Sequence, residues 1–401
     1  MLAKSSAEWV RQQNCVLVLK ALRRHERLSH TELASVTGLA SGTISAITAD
    51  LERAGVIARS EQQPTAGRGR PRVLLTQKRD AAYLITVSIS SDAVQYTLAD
   101  YSGRMTDRFA EPRRSGGTAA FISAMKAALR RLIERSGLQP SAVRAISISS
   151  KGLVDADRPV LLWSPVLGSA PCDFEAELRP DWQATILLSN ETLLVARALI
   201  QKAEREERPL QRGMVTLSLG HSIGLGVTLR RADGKTEVSA PNFGHMLHVP
   251  DTALCRCGAQ GCIEAHAGFY AILRTAFEVP KQTIPAPFVP VEEVDKLAAR
   301  ARTGARMPAY AFREAGLALG FGLSRVLSMY GHLPIVVTGV GARYFDLLQP
   351  GMLEGLARAQ VIRMNGLPAI SVVADEPMLV FDGHLDRALA EIDEAIVSAG
   401  M

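Results

Sequence analysis

The chain has 401 residues, 47% of them apolar, 21% charged and 5% aromatic; at about 150 residues per domain this means two or three packed units and excludes both a single small module and a disordered chain. Uncharged stretches such as Val326 to Ala342 are broken by Gly and Pro before they reach the roughly 20 apolar residues of a membrane span, and no apolar segment precedes a cleavage site at the N-terminus, so a cytoplasmic protein with no membrane partner is expected. The formal net charge of +6 is local, because residues 1–80 hold 13 Lys and Arg against 7 Asp and Glu while the remaining 321 carry 33 of each; such a segment suits a phosphate-backbone binder or, failing that, a solubilising basic arm.

Along the basic segment, the apolar run over 12–24 predicts a first helix. A short second helix fits 31–37, capped by Ser29 or His30 with Glu32 near its positive end, and Gly38 permits the turn that follows. Ser41 is expected to cap a third helix in which Ile44, Ile47, Thr48 and Leu51 recur at i, i+3, i+4, i+7 and face a core, with Gly55 just beyond its end. Its other face, from Ser41, Gly42, Thr43 and Ser45 onward, is small and polar. This spacing is that of a helix-turn-helix, whose second helix offers short side chains to base edges in the major groove of double-stranded DNA; a plain three-helix bundle is the simpler alternative. Two strands near 56–59 and 73–75 would flank a wing in which Arg68, Arg70 and Arg72 alternate with Gly and Pro, a tract suited to a narrow minor groove or to a solvated linker.

From Tyr83 the texture becomes α/β. A three-stranded meander (82–90, 94–99, 104–109), a helix over 119–134 and strands at 145–149 and 185–189 form one series. A helix from Glu191, strands at 214–219 and 225–229, mainly helical sequence and a strand at 335–338 form another. Two such units predict a two-lobed body with ligand chemistry in the cleft, divided here as 1–80 for the DNA-binding arm, 81–190 for the first lobe and 191–401 for the second, with the last helix returning to the first lobe. The glycines at 220, 224, 226, 339 and 341 read as turn residues.

Three of the five cysteines, Cys255, Cys257 and Cys262, lie within eight positions. In a reducing compartment closely spaced thiols at Gly-containing knuckles point to metal rather than disulfide. His245 supplies the fourth ligand of a closed tetrahedral set suited to structural Zn²⁺, with His248 and His266 as competitors. Cys15 and Cys172 read as core thiols.

Taken together, Gly244-His245, Cys255-Arg256-Cys257-Gly258, Gly261-Cys262-Ile263-Glu264 and the upstream winged helix resemble the ROK family of sugar-responsive repressors and sugar kinases, over nearly the whole chain. The resemblance implies an actin/hexokinase-like (ribonuclease H-like) two-lobed body, a structural zinc at His245, Cys255, Cys257 and Cys262, and a sugar pocket beside it. It carries a sugar-binding role onto Asn190, Glu191, Asn242, His245 and Glu264. Departures set the expected activity. Where a family kinase has an Asp-x-Gly-Gly-Thr phosphate turn this chain has Ser88-Ile89-Ser90-Ser91-Asp92, Glu191 replaces the catalytic aspartate, and Asn242 replaces the glutamate of Glu-x-Gly-His. A displaced base loses rate steeply, so the expectation is a homodimeric or higher homo-oligomeric repressor that binds operator DNA, senses a sugar or sugar phosphate and performs no phosphotransfer. The rivals are a sugar kinase and a ligand-independent DNA-binding dimer. Asn190, Glu191 and Glu264 would otherwise be helix-start residues, and Lys151 is a candidate for a phosphate or simply a surface lysine.

Replacing Arg68 and Arg70 with Ala is expected to weaken DNA binding uniformly and to lower its salt slope by about one unit per lost phosphate contact. Affinities measured over a salt series check this, and a change confined to sequence preference would mean that these side chains read bases.

Overall fold

The computed structural model describes residues 2–61, 73–113, 116–168, 170–206, 212–286 and 288–399. The arm begins with a helix longer than its apolar core demands, α1 (Leu2–His25), then a short strand β1 (Arg27–Leu28), α2 (His30–Thr37) and α3 (Ser41–Arg53). Ser29 closes a capping box on α2: its hydroxyl accepts from the Glu32 N–H, and the Glu32 carboxylate accepts from the Ser29 N–H at 2.8 Å. Ser41 is not the cap of α3. Ala40 holds that position without a side-chain bond, which leaves Ser41 on the exposed first turn. Ile44, Ile47, Thr48 and Leu51 are buried, as their spacing requires. Strands β2 (Ile57–Glu61) and β3 (Val73–Gln77) pair antiparallel and β1 joins the far side of β3, the small sheet of a winged helix. Arg68, Arg70 and Arg72 lie outside the described residues.

In the first lobe, β4 (Tyr83–Ile89), β5 (Ala93–Asp100) and β6 (Met105–Pro112) form the expected meander. Helix α4 (Thr118–Ser136) then leads to β7 (Val143–Ser150), parallel to β4. A side sheet of β8 (Leu153–Val154), β9 (Val160–Trp163) and β10 (Cys172–Asp173) precedes α5 (Phe174–Leu178) and β11 (Thr185–Asn190), which pairs parallel with β7. The β7–β11 register ends at Ser150 opposite Asn190. The next residue of each strand, Lys151 and Glu191, is thereby brought to the same end of the sheet.

Helix α6 (Glu191–Arg205) leads into the second lobe, where β12 (Gly213–Ser218), β13 (Gly224–Arg230) and β14 (Thr236–Ser239) repeat the meander. Helices α7 (Ile263–Ala267), α8 (Phe269–Ala276), α9 (Val291–Arg302) and α10 (Arg306–Tyr330) follow, then β15 (Ile335–Thr338), α11 (Phe345–Ala357), α12 (Gln360–Asn365), β16 (Ile370–Val372) and α13 (Glu376–Ser398). The sheet order β14-β13-β12-β15-β16 is the mirror listing of β11-β7-β4-β5-β6, so both lobes have the same topology. Gly224 and Gly226 are strand residues, not turn residues. A Cβ on Gly226 would come within 2.9 Å of the Ala196 methyl, so this strand carries glycine where α6 lies close on it.

Helix α13 binds the three parts together. Its first turns pack with α6 around Leu194, Leu199, Leu379 and Val380, and from His384 onward it packs on β4, β7 and α1. One apolar cluster therefore runs from Leu19, Leu22 and Leu33 of the arm through Tyr101 and Leu187 to Leu389 and Ile392. Within it Arg23 donates two hydrogen bonds of 2.9 Å to the fully buried Asp393 carboxylate, and the Tyr101 hydroxyl donates a third at 2.6 Å. Asp393→Ala would leave the Arg23 cation and the Tyr101 hydroxyl without their acceptor, and is expected to cost about 3 kcal/mol. Denaturant unfolding checks this; an unchanged midpoint would show that water replaces the carboxylate and that the arm is not fixed by this node.

Candidate functional site

A cleft of roughly 600 Å³ opens between the lobes, lined by Lys151, Trp163, Asn190, Thr192, Ser222, Asn242, His245 and Glu264 among others. Four of the five residues expected to touch a sugar, Asn190, Asn242, His245 and Glu264, line it, while Glu191 reaches it only through its contact with Lys151. Asn190 also serves α6: its carbonyl oxygen accepts from the Thr192 N–H at 2.9 Å and its amide donates to the Gly152 carbonyl at 2.8 Å. The helix-capping role is real and leaves one amide proton for another acceptor. Glu191 lies 3.7 Å from the Lys151 ammonium. Burial pushes the Glu191 carboxyl up to about 7 against the pull of Lys151, and the nearby Glu376 adds to the rise. Burial disfavours the Lys151 ammonium, but Glu191 and Glu376 outweigh it and hold the group above the usual lysine range.

Glu264, at the start of α7, is buried and ion-paired with Arg256 at 3.0 Å, while its second oxygen accepts from the Ile223 N–H at 3.2 Å. Burial raises its pKa and Arg256 opposes the rise. Arg256 also reaches the His221 carbonyl and the Ser222 hydroxyl and lies over the Tyr270 ring. The cysteine loop is thus clamped onto the cleft wall by the residue between its first two thiols. Trp163 meets the His245 ring edge-on, with centroids 5.1 Å apart. Sequence reasoning missed Trp163, Arg256 as a clamp, and Glu376, which arrives from the far end of the chain. Only Arg256 carried a local signal, its place inside the cysteine motif.

Donor atoms of His245, Cys255, Cys257 and Cys262 all lie within 4.8 Å of one another. His245 Nδ1 is 3.5 Å from Cys255 Sγ, and Cys257 and Cys262 Sγ are 3.7 Å apart. His248 and His266 are not in this set; they face each other edge-on, and His266 contacts the Thr252 hydroxyl at 3.1 Å. Hydrogen bonds from Cys262 and His245 pull the Cys255 thiol down to about 3 in spite of burial. The same bond to Cys255, together with burial, pushes Cys262 up. Several thiolates this close repel one another, and a divalent cation removes that conflict. The donor set fits a closed four-coordinate ion. Gly261, at φ +85°, lets the loop turn where a Cβ would overlap the Val249 carbonyl.

On the arm, Ser41, Gly42 and Ser45 are exposed and Thr43 is half-buried, so the small polar face of α3 is open. The Ser45 hydroxyl donates to the Ser41 carbonyl at 3.0 Å and keeps its acceptor lone pairs outward.

A model of the ROK family matches residues 84–343, and one for a winged helix-turn-helix DNA-binding domain matches residues 17–58. The xylose repressor of Caldicellulosiruptor bescii is 22% identical over 84% of this chain and 86% of its own. The N-acetylglucosamine repressor of Escherichia coli O157:H7 is 22% identical over 91% of this chain and 90% of its own. The crystal structure of a ROK family transcriptional regulator, a homologue of the Escherichia coli MLC protein, superposes with a TM-score of 0.76 at 20% identity, covering 98% of this chain and all 100% of that one. A glucokinase of the same family from Streptomyces griseus, solved with glucose and AMPPNP, gives a TM-score of 0.56 at 22% identity, covering 76% of this chain and 99% of its own.

Metal analysis is expected to find about one zinc per chain, and Cys257→Ser to lose both the metal and several degrees of melting temperature. Unchanged metal content in that variant would show that Cys257 is not a ligand.

Proposed function

The chain belongs to the ROK family, and from that premise we propose that it is a sugar-responsive, DNA-binding transcriptional repressor of carbohydrate-metabolism genes. It acts in the cytoplasm on double-stranded operator DNA as a homodimer or higher homo-oligomer, with a structural zinc held by His245, Cys255, Cys257 and Cys262. The relatives named as repressors and the winged-helix match favour this reading. The observation that carries it is the path of α13, whose first residue, Glu376, acts through its charge on the cleft residue Lys151 and whose far part meets α1 through Asp393.

In this mechanism Asn190, Glu191, Asn242, His245 and Glu264 hold the sugar. His245 has one ring nitrogen toward the thiols, which leaves the other for the ligand. A sugar that prefers one lobe separation shifts α6 and α13 together, because they share a packed face. Helix α13 carries the shift to α1, and a small rotation of two arms is enough to misplace paired recognition helices whose half-sites lie a fixed helical turn apart. Ser41, Gly42, Thr43 and Ser45 then read the major groove, with Arg68, Arg70 and Arg72 in the minor groove. At low salt the duplex is gripped mainly through its phosphates.

Phosphotransfer is not part of this reading. The Glu191 carboxylate faces the Lys151 ammonium at 3.7 Å, so it is poorly placed to take a proton from a sugar hydroxyl. The turn joining β4 and β5 at Ser90 carries no glycine.

The full chain is expected to bind duplex fragments from upstream of its own gene with strong salt dependence, and a cognate sugar to weaken or strengthen that binding about tenfold or more. Ser45→Glu should abolish DNA binding by placing a carboxylate against the duplex while leaving sugar binding intact. ATP-dependent phosphorylation of a hexose, with no DNA bound at low salt, would replace this reading with that of a kinase.

A further inference from the structure

Each cation at the cleft already has a carboxylate partner. Lys151, directly after β7, has its ammonium 3.7 Å from Glu191, and both side chains are largely covered, at 21% and 12% exposure. Glu376 is buried and receives a hydrogen bond from the Ser218 hydroxyl, and its charge favours the protonated form of Lys151. On the opposite wall Arg256 and Glu264 form a pair that is 7% and 1% exposed. Lys151 and Glu264 line the cleft, and with their neighbours Glu191, Glu376 and Arg256 they set three carboxylates against two cations around it.

Two backbone donors at the cleft are engaged as well: the Ile223 N–H is on Glu264 and the Thr192 N–H is on Asn190. A phosphoryl group would bring about 1.5 to 2 further negative charges into this setting. It would either face the surplus carboxylate or have to pull Lys151 or Arg256 from a buried partner, and stranding that partner is strongly unfavourable. Protonation of Glu191, whose carboxyl is pushed up to about 7, trims the surplus without creating a spare cation. What the cleft does offer is neutral: the Asn242 amide, the Ser222 hydroxyl and the aromatic wall of Trp163. Amides and hydroxyls pair with sugar hydroxyls, and an indole face suits the C–H face of a pyranose.

On the reading of the cleft as a sugar sensor, we propose that the effector is an unphosphorylated aldose, and that Lys151, paired with Glu191, is the specificity-determining residue that excludes sugar phosphates. The ammonium answers the Glu191 carboxylate and is not offered to the ligand. The cleft thus answers to the free sugar and not to its phosphorylated product.

The test uses the full-length protein near neutral pH, with tryptophan fluorescence and calorimetry as readouts. The probes are D-glucose, N-acetyl-D-glucosamine and D-xylose, alongside glucose 6-phosphate and N-acetylglucosamine 6-phosphate. A free sugar is expected to bind, and the 6-phosphate of a hexose that binds should be weaker than its parent by about tenfold or more, since like charges brought together in a desolvated site are strongly penalised. Glu376→Gln, which removes one carboxylate and keeps its shape, should narrow the gap; Lys151→Gln, which removes the cation beside Glu191, should widen it. A 6-phosphate that binds as tightly as its parent, or a gap unmoved in both folded variants, overturns the inference while leaving the sensor reading standing. If no sugar of either kind binds or alters DNA affinity, the sensor reading itself falls and takes the inference with it.

Discussion

A fully buried aspartate must be answered, and Asp393 is answered from two different parts of the chain. Its partners are Arg23 on the arm and Tyr101 at the end of the first lobe's second strand. Removing a carboxylate from water is costly, and only well-formed hydrogen bonds from a cation and a hydroxyl make the burial tolerable. The requirement fixes α1 against α13 in one geometry. Apolar packing around Leu22, Leu389 and Ile392 closes over the ion pair. The arm is therefore part of the body's core and not a bead on a tether, and every account of how a cleft event reaches DNA depends on that.

The same helix makes the body sensitive at its other end. Glu376, bonded by the Ser218 hydroxyl, opens α13 and acts through its charge on Lys151, while Asp393 lies near its close. A helix is stiff along its axis, so groups gathered around its first turn share a rigid element with the arm. Linkage of this kind needs a ligand with different affinity for two arrangements of the lobes. The cleft is built for such a difference, because its polar groups come from the ends of β7 and β11, the start of α6, and the metal-type loop of the second lobe.

That loop has a structural task that goes beyond its four donors. Arg256, lodged between Cys255 and Cys257, grips Glu264 and the His221 carbonyl, so anything that orders the thiols also orders the cleft wall. His245 belongs to both, with one nitrogen toward Cys255 and its ring against Trp163. Loss of a metal here would unsettle ligand binding as well as stability, since ligand residue and cleft residue coincide.

Much of this was legible in the linear chain. The spacing of Ile44, Ile47, Thr48 and Leu51, the strands of the first meander with the first two of the second, and the Cys255-Cys257-Cys262 knuckle are local patterns, set by periodicity and thiol spacing within a few residues of each other. Ser29 with Glu32 was readable for the same reason, whereas Ser41 was misread as a cap because a serine before an apolar run fits either side of a helix boundary. The tertiary structure alone decided that Lys151 faces Glu191, that Arg256 pairs with Glu264 beside the cleft, and that Arg23 meets Asp393 across 370 positions. Such pairings carry no period and no motif. They arise when the β7–β11 register and the return of α13 bring distant charges into one low-dielectric space, where each charge needs a partner that no local rule can name.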